Sequence, residues 1–306
     1  GDGANTVYTG TVSVHGRSRS NGEETLTFDG IVFKAGADSQ YFIDANSKAS
    51  AERYAHNVTV KNCTFDGNGF ETVVALKLRA AYDIKVENVS STGLFSLMQS
   101  TGCTGVDIEN VTIENDDFGI EFGTSKDVTV KNTKINVSTT SGYGIRAESS
   151  SNKSVLTVED CEISAFLPVI IRRCTSGSYT LKVGGNNTIK EYNTLGYWTI
   201  FSATAGYDLV EPTSAYTVEL TDNKLNEAGV FPFKGEVVAQ LGNTRYASLQ
   251  KAINAATALG GDQTITLLPG TISENVTVVQ TKGANITIQG DGANTVYTGT
   301  VSVHGR

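Results

Sequence analysis

The groups that could do chemistry in this 306-residue chain are few, and most lie in its middle third. Asp116 and Asp117 are adjacent, Glu121 follows, and Arg146 and Arg172 come after it at intervals of 25 and 26 residues. Removal of the proton beside a uronate carboxylate needs acids that hold Ca²⁺ and an Arg or Lys as base. With Lys77 and Ser96 at the matching places upstream, the expected outward row reads Lys77, Ser96, Glu121, Arg146, Arg172. One acid between cations makes a poor calcium site and a reasonable ladder of charge, its pairs contributing about 0–1 kcal/mol each. His15 and His56 have no partners at metal-ligand spacing, so no metal is expected, and Ca²⁺ only if the chain is a lyase.

The elements that must position these residues show in the self-similarity of the sequence. Asn57-VTVKNCTF, Asp83-IKVENVSS, Gly105-VDIENVTI and Asp127-VTVKNTKI share one pattern of alternating apolar residues that ends in Asn. Those residues, Asn62, Asn88, Asn110 and Asn132, lie 26, 22 and 22 apart. A second apolar segment falls half a period later, as in Val73-VALKL, Leu94-FSLM, Phe118-GIEF, Tyr143-GIRA and Pro168-VIIR. Several period-2 strands in each turn of about 22 residues pair with the same strand one turn on, giving parallel sheets wound into a solenoid. A β-sandwich gives no reason for Asn to recur at one phase, and leucine-rich repeats need Leu where this chain has Val and Ile.

Residue for residue, Val-x-Val-x-Asn resembles the right-handed parallel β-helix of the pectate-lyase-like superfamily, over nearly the whole chain. The resemblance implies an all-β, single-stranded solenoid of about 11–12 coils, and it leaves function open because that fold carries lyases, hydrolases, tailspikes and adhesins. The run Asn115-DDFGIEFGTSKDVTVKN also has a partial likeness to polygalacturonases. It implies Asp116 and Asp117 as general acid and water-activating base, with Glu121 beside them. The Asn-Thr-Asp-Gly, Gly-His-Gly and Arg-Ile-Lys elements of that family are missing, which argues against a hydrolase.

The Asn column is expected to point inward at a tight turn and pass amide hydrogen bonds from coil to coil, at about 1 kcal/mol each. Cys63 and Cys161 face inward four coils apart, and Cys103 and Cys174 about three. All four are then reduced, since a disulfide needs Cα atoms within about 7 Å. Tyr192, Tyr197, Trp198, Phe201, Tyr207, Tyr216, Phe231 and Phe233 collect late in the chain, where they either cap the core or bind sugar.

The last 17 residues, from Gly290, repeat Gly1 to Arg17 without a change, at an interval of 289. Tyr246, Leu249, Ile253 and Ala256 mark an amphipathic helix over 246–259, ended by Gly260-Gly261. Such a helix covers the open N-terminal end of a solenoid, yet here it follows the coils. The window is therefore expected to be out of phase with the fold: residues 1–236 are the body, and 237–306 are the cap and first coils of the next copy. The chain begins with Gly and carries no leader or membrane-spanning run, so a piece excised from a longer extracellular or cell-surface protein, bacterial in kind, is expected. Its net charge of −8 excludes a nucleic-acid-binding role.

The expected function is a structural or adhesive repeat unit of a tandem-repeat surface protein or fibre, not an enzyme. Its partners are other copies of itself, head to tail, and a surface glycan or host ligand. A polysaccharide lyase or hydrolase acting on acidic glycans is the first alternative, and a non-catalytic glycan-binding module the second.

Overall fold

The computed structural model describes residues 1–2, 5–15, 25–45, 55–114, 116–148, 154–172, 179–191, 199–202, 216–222, 238–242, 244–246, 248–279 and 283–305. Among the described residues through 220, strands follow one another without hairpins, and each pairs in parallel with its equivalent one turn later. Three sheets of eight strands result. One coil shows the plan: Ser90–Thr92 lies in sheet A, Ser96–Thr101 in sheet B and Thr104–Glu109 in sheet C. This is a right-handed parallel β-solenoid of about nine turns with very little helix.

Left-handed backbone at fixed places turns the chain from sheet to sheet. Asn62, Asn88, Asn110, Asn132 and Asp160 all have φ between 46° and 55°, just after sheet C. A second column, Ala80, Gly102 and Thr124, bends the chain into sheet C, and a third, Asn57, Asp83, Gly105 and Asp127, lies near its start. Asn and Asp enter this region at less cost than other residues with a Cβ, so the repeat of Asn reports a backbone need.

That finding corrects the expected inward ladder. Asn62, Asn88, Asn110 and Asn132 are exposed on the outer side of the bend. Asn62 donates to Asp29 Oδ1 at 2.8 Å and Asn88 to Asn62 Oδ1 at 3.3 Å, while Asn132 reaches Glu109 at 3.5 Å. The inner corner belongs to the next residue, Cys63, Val89, Val111, Thr133 or Cys161. An inward Asn does exist there, at Asn187. It is buried, donates to Asp222 Oδ2 at 2.8 Å and to Gly184 O at 2.8 Å, and accepts from Cys161 N at 2.7 Å.

The core fills by stacking like on like. In sheet C, Ile84, Val106, Val128 and Leu156 stand in register, with Val86, Ile108, Val130 and Val158 two residues along. Phe33 and Phe65 stack at 4.9 Å in sheet A, and the column continues as Ser91, Ile113, Ile135 and Ile163. Cys63, Cys103 and Cys161 are free and buried, and burial pushes the Cys161 thiol up to about 11. Cys174 lies outside the described residues.

The cap is a second, smaller assembly with its own apolar core. Strands Ala239–Leu241 and Thr244–Tyr246 pair antiparallel, and the first also runs antiparallel to Gly261–Leu267, which is parallel to Ala284–Gln289. Helix α1, Leu249–Leu259, buries Leu249, Ala252, Ile253 and Ala256. Its first residue is three later than expected, because Tyr246 belongs to a strand and Ser248 is the N-cap. Ser248 Oγ accepts from Lys251 N at 3.2 Å, and the Glu274 carboxylate accepts from Leu249 N at 2.7 Å, both satisfying amides at the positive end of the helix. Gly260, at φ 68°, ends α1 as expected. Strand Thr244–Tyr246 lies against Tyr216–Leu220, the last strand of sheet C, so the cap begins where the stack ends.

Candidate functional site

The outer face of sheet B gathers most of the candidate residues. Registration between coils places Lys77, Gln99, Glu121, Arg146 and Ile170 in one row. Two members of the expected row stand elsewhere. Ser96 is fully buried, its hydroxyl oxygen 2.9 Å from both Gly119 O and Met98 O, which share its one proton. Leu97 and Met98, neighbours in sequence, are both buried, so the in-out alternation resets between them and Gln99 takes the outward place. Arg172 belongs to the adjacent row, beside Glu148 rather than Arg146.

The charges on this face are spent on each other. Arg146 Nη2 bonds Glu121 Oε1, and the Tyr143 hydroxyl donates to Glu121 Oε2 at 3.1 Å. Arg146 also lies over the Tyr143 ring, 5.0 Å from its centroid. Arg172 Nε donates to Glu148 Oε1 at 2.8 Å, and Glu148 stands 3.8 Å from Arg146 Nε. The chain of pairs Glu121–Arg146–Glu148–Arg172 is therefore continuous across three coils. Lys77 donates to Gln99 Oε1 at 2.6 Å and sits over Tyr41. An ionised acid satisfied by Arg and Tyr is a weak base, and an Arg held by two carboxylates is a poorer one.

The neighbouring acids do not form a working pair. Asp116 is buried and accepts from Ser91 Oγ at 2.7 Å and Leu94 N at 2.9 Å, while Asp117 is exposed. Burial pushes the Asp116 carboxyl up to about 7, offset in part by those two donors. Its place opposite Ser91, where neighbouring coils carry Phe65 and Ile113, makes it an internal polar plug. Sequence inspection missed Ser91 as its partner; the small polar residue among large apolar ones was the available signal. Among the described residues no group of three or more His, Cys, Asp or Glu could hold a metal ion.

Phe95, Phe118 and Tyr143 form a stack beside this row, with centroids 5.0 and 4.5 Å apart. Tyr143, Leu167 and Ile170 make a small apolar cluster of their own, with Phe118 packed on it. The late aromatics Tyr192, Tyr197, Trp198, Tyr207, Phe231 and Phe233 lie outside the described residues. The backbones of Phe201 and Tyr216 are described in strands, in register with Ile171 and Tyr179.

The family described as the right-handed beta helix region matches residues 51–195. No curated protein matches the sequence. Two solved structures are similar, both of the Streptococcus pneumoniae surface protein and adhesin PfbA. The first is 11% identical over 100% of this chain and 84% of that one, with a TM-score of 0.24. The second is 13% identical over 69% and 79%, with a TM-score of 0.20. At these values the likeness says nothing about function. The fold rests on the strands themselves: residues 51–195 match the model of the right-handed beta helix region, and the described strands wind into a right-handed parallel β-solenoid.

Proposed function

We propose that this chain is a structural, adhesive unit of a bacterial cell-surface protein in which 289-residue repeats follow one another head to tail. The observation that carries the reading is the 17-residue duplication together with the cap, which packs on the last sheet C strand and then leads into a second copy of the opening coil. Residues 1–236 form the body in this reading, and 237–306 open the next unit. A repeat of this kind lengthens a stalk with every copy and multiplies weak contacts to a surface ligand.

The sheet C side carries eight strands and the cap sheet four more, so one unit spans on the order of 55 Å at about 4.8 Å per strand. Small-angle scattering of one, two and three fused units should show the maximum dimension growing by about that length per unit. A dimension that stays constant, as in units folded back on each other, would overturn the stalk. The polysaccharide lyase reading is opposed by the neutralised Glu121–Arg146–Glu148–Arg172 row. Assays on pectin, alginate and related polyuronates test it directly, with Asp117→Ala as control; turnover that the substitution removes would restore an enzyme.

A further inference from the structure

Among the described residues, five exposed asparagines stand in the left-handed region: Asn62, Asn68, Asn88, Asn110 and Asn132. Four of them precede a side chain driven into the core, Cys63, Val89, Val111 or Thr133, each at most 2% exposed. Asn68 precedes a glycine instead, and a Cβ on Gly69 would meet nothing within 4 Å. The peptide nitrogen of Gly69 is therefore one that a side-chain amide carbon can approach without displacing packed atoms.

The turn that carries this pair is held on both sides. Asn68 and Gly69 have φ 53° and 80°, and Phe70 N donates to Gly67 O at 2.9 Å across them, the pattern of a type I′ turn. Asn68 N donates to Asp66 Oδ1 at 2.7 Å, and Asn68 Nδ2 donates to Ala35 O at 3.0 Å on the earlier coil. Toward the later coil, a Cβ on Gly67 would fall 1.8 Å from Gly93 O. A left-handed residue places the following nitrogen opposite its own Cβ, so Gly69 N reaches Asn68 Cγ only after the turn opens and the peptide rotates. Opening an exposed turn disturbs few buried contacts. At the four bends the same rotation would pull a core side chain out of the stack.

We propose that Asn68 is a site of spontaneous deamidation, gated by the opening of the turn that its own side chain ties to Ala35. Hydroxide takes the proton of Gly69 N, and that nitrogen attacks Asn68 Cγ. The bond from Cγ to the amide nitrogen breaks, ammonia leaves with a proton from water, and hydroxide is returned. Water then opens the five-membered imide at either carbonyl, giving Asp or its β-linked isomer. Either product replaces the donor to Ala35 O with a carboxylate that has no proton to give and that stands near Asp66. The isomer also adds a backbone carbon to a turn already wedged against Gly93. The corner between sheets A and B is loosened in both cases.

Incubation of the full chain at mildly alkaline pH, followed by peptide mapping with mass spectrometry, tests this. Asn68 should lose its amide with time and appear as two acidic isomers, while Asn62, Asn88, Asn110 and Asn132 keep theirs in the same sample. Asn21, the other asparagine before a glycine, lies outside the described residues and is read separately in the map. A free peptide of residues 64–72 should convert faster than the chain. Asp66→Ala removes one bond of the turn and should quicken the loss roughly fivefold, the equivalent of about one hydrogen bond. An Asn68 amide that survives in the chain while the free peptide converts overturns the site, as does earlier loss at any of the four bends. An Asp66→Ala chain that converts at the unchanged rate or more slowly overturns the gating.

Discussion

The middle coils and the terminal coils follow the same alternation of residues and end in opposite environments. Val106 and Ile108 in the middle of sheet C are at most 1% exposed, while the inward-facing Val301 and Val303 of the last strand are 47% and 61% exposed. Nothing in the strand itself distinguishes them. A middle strand has the same strand above and below it, and its inward side chains lie between two equivalents; a terminal strand has one neighbour. Burial in this fold is a property of the stack, and a coil acquires its core only when the next coil covers it.

The sharpest test of that contrast removes the same kind of group in both places. Ile108→Ala should lower the unfolding free energy by about 2–5 kcal/mol through transfer and cavity terms. Val301→Ala, on an inward-facing side chain of the last strand that is 47% exposed, should change it by less than about 0.5 kcal/mol. Urea titrations of the two variants check this, and equal losses would break the comparison.

Asp116 offers the next largest effect, since it exists only because the middle of the stack is dry. Its folded value of about 7 lies above the ordinary carboxylate value, so the folded protein holds a proton that the unfolded chain has released. Stability from this group is present at acid pH and falls as pH rises from about 4 to about 7, by on the order of 3 kcal/mol. Asp116→Asn should flatten that part of the profile, as measured by denaturation at pH 4 and pH 7.

The bends predict a smaller change. Asn110→Ala removes the short polar side chain that eases Asn into φ 55° and should destabilise by about 1–2 kcal/mol, whereas Asn110→Gly should fall within about 0.5 kcal/mol of the parent. An inward amide ladder would make both substitutions costly, so the pair separates backbone need from side-chain bonding. The cysteines sharpen the contrast without a stability change. Cys63, Cys103 and Cys161 should resist thiol reagents in the folded chain, and unfolding without reductant should release four titratable thiols. Finding none would mean that the coils are stacked in another register.

Much of this was legible because a solenoid repeats its errors as faithfully as its pattern. The Val-x-Val-x-Asn phase located the bend after sheet C, and the Gly260 stop located the end of α1. The same phase did not reveal on which side of the bend the Asn lies, because side-chain period 2 is interrupted wherever the backbone turns left-handed. Ser96 shows the same limit on sheet B: the successive buried pair Leu97–Met98 shifts the alternation, and counting from either end gives a different face. The Asp116–Asp117 pair reads as two equivalent acids in one dimension, yet one points to Ser91 and the other to solvent.

The sequence by itself determined that the chain winds into parallel coils, where it bends, that a cap follows the body, and that its two ends are the same segment. These follow from local periodicity, left-handed residues and identity, all of which act within one turn of the chain. Only the tertiary structure decided which charges neutralise one another, as with Glu121 against Arg146 and Arg172 against Glu148. Those outcomes depend on register between coils some 25 residues apart, and register is set by the stacking of whole turns, not by any residue in one of them.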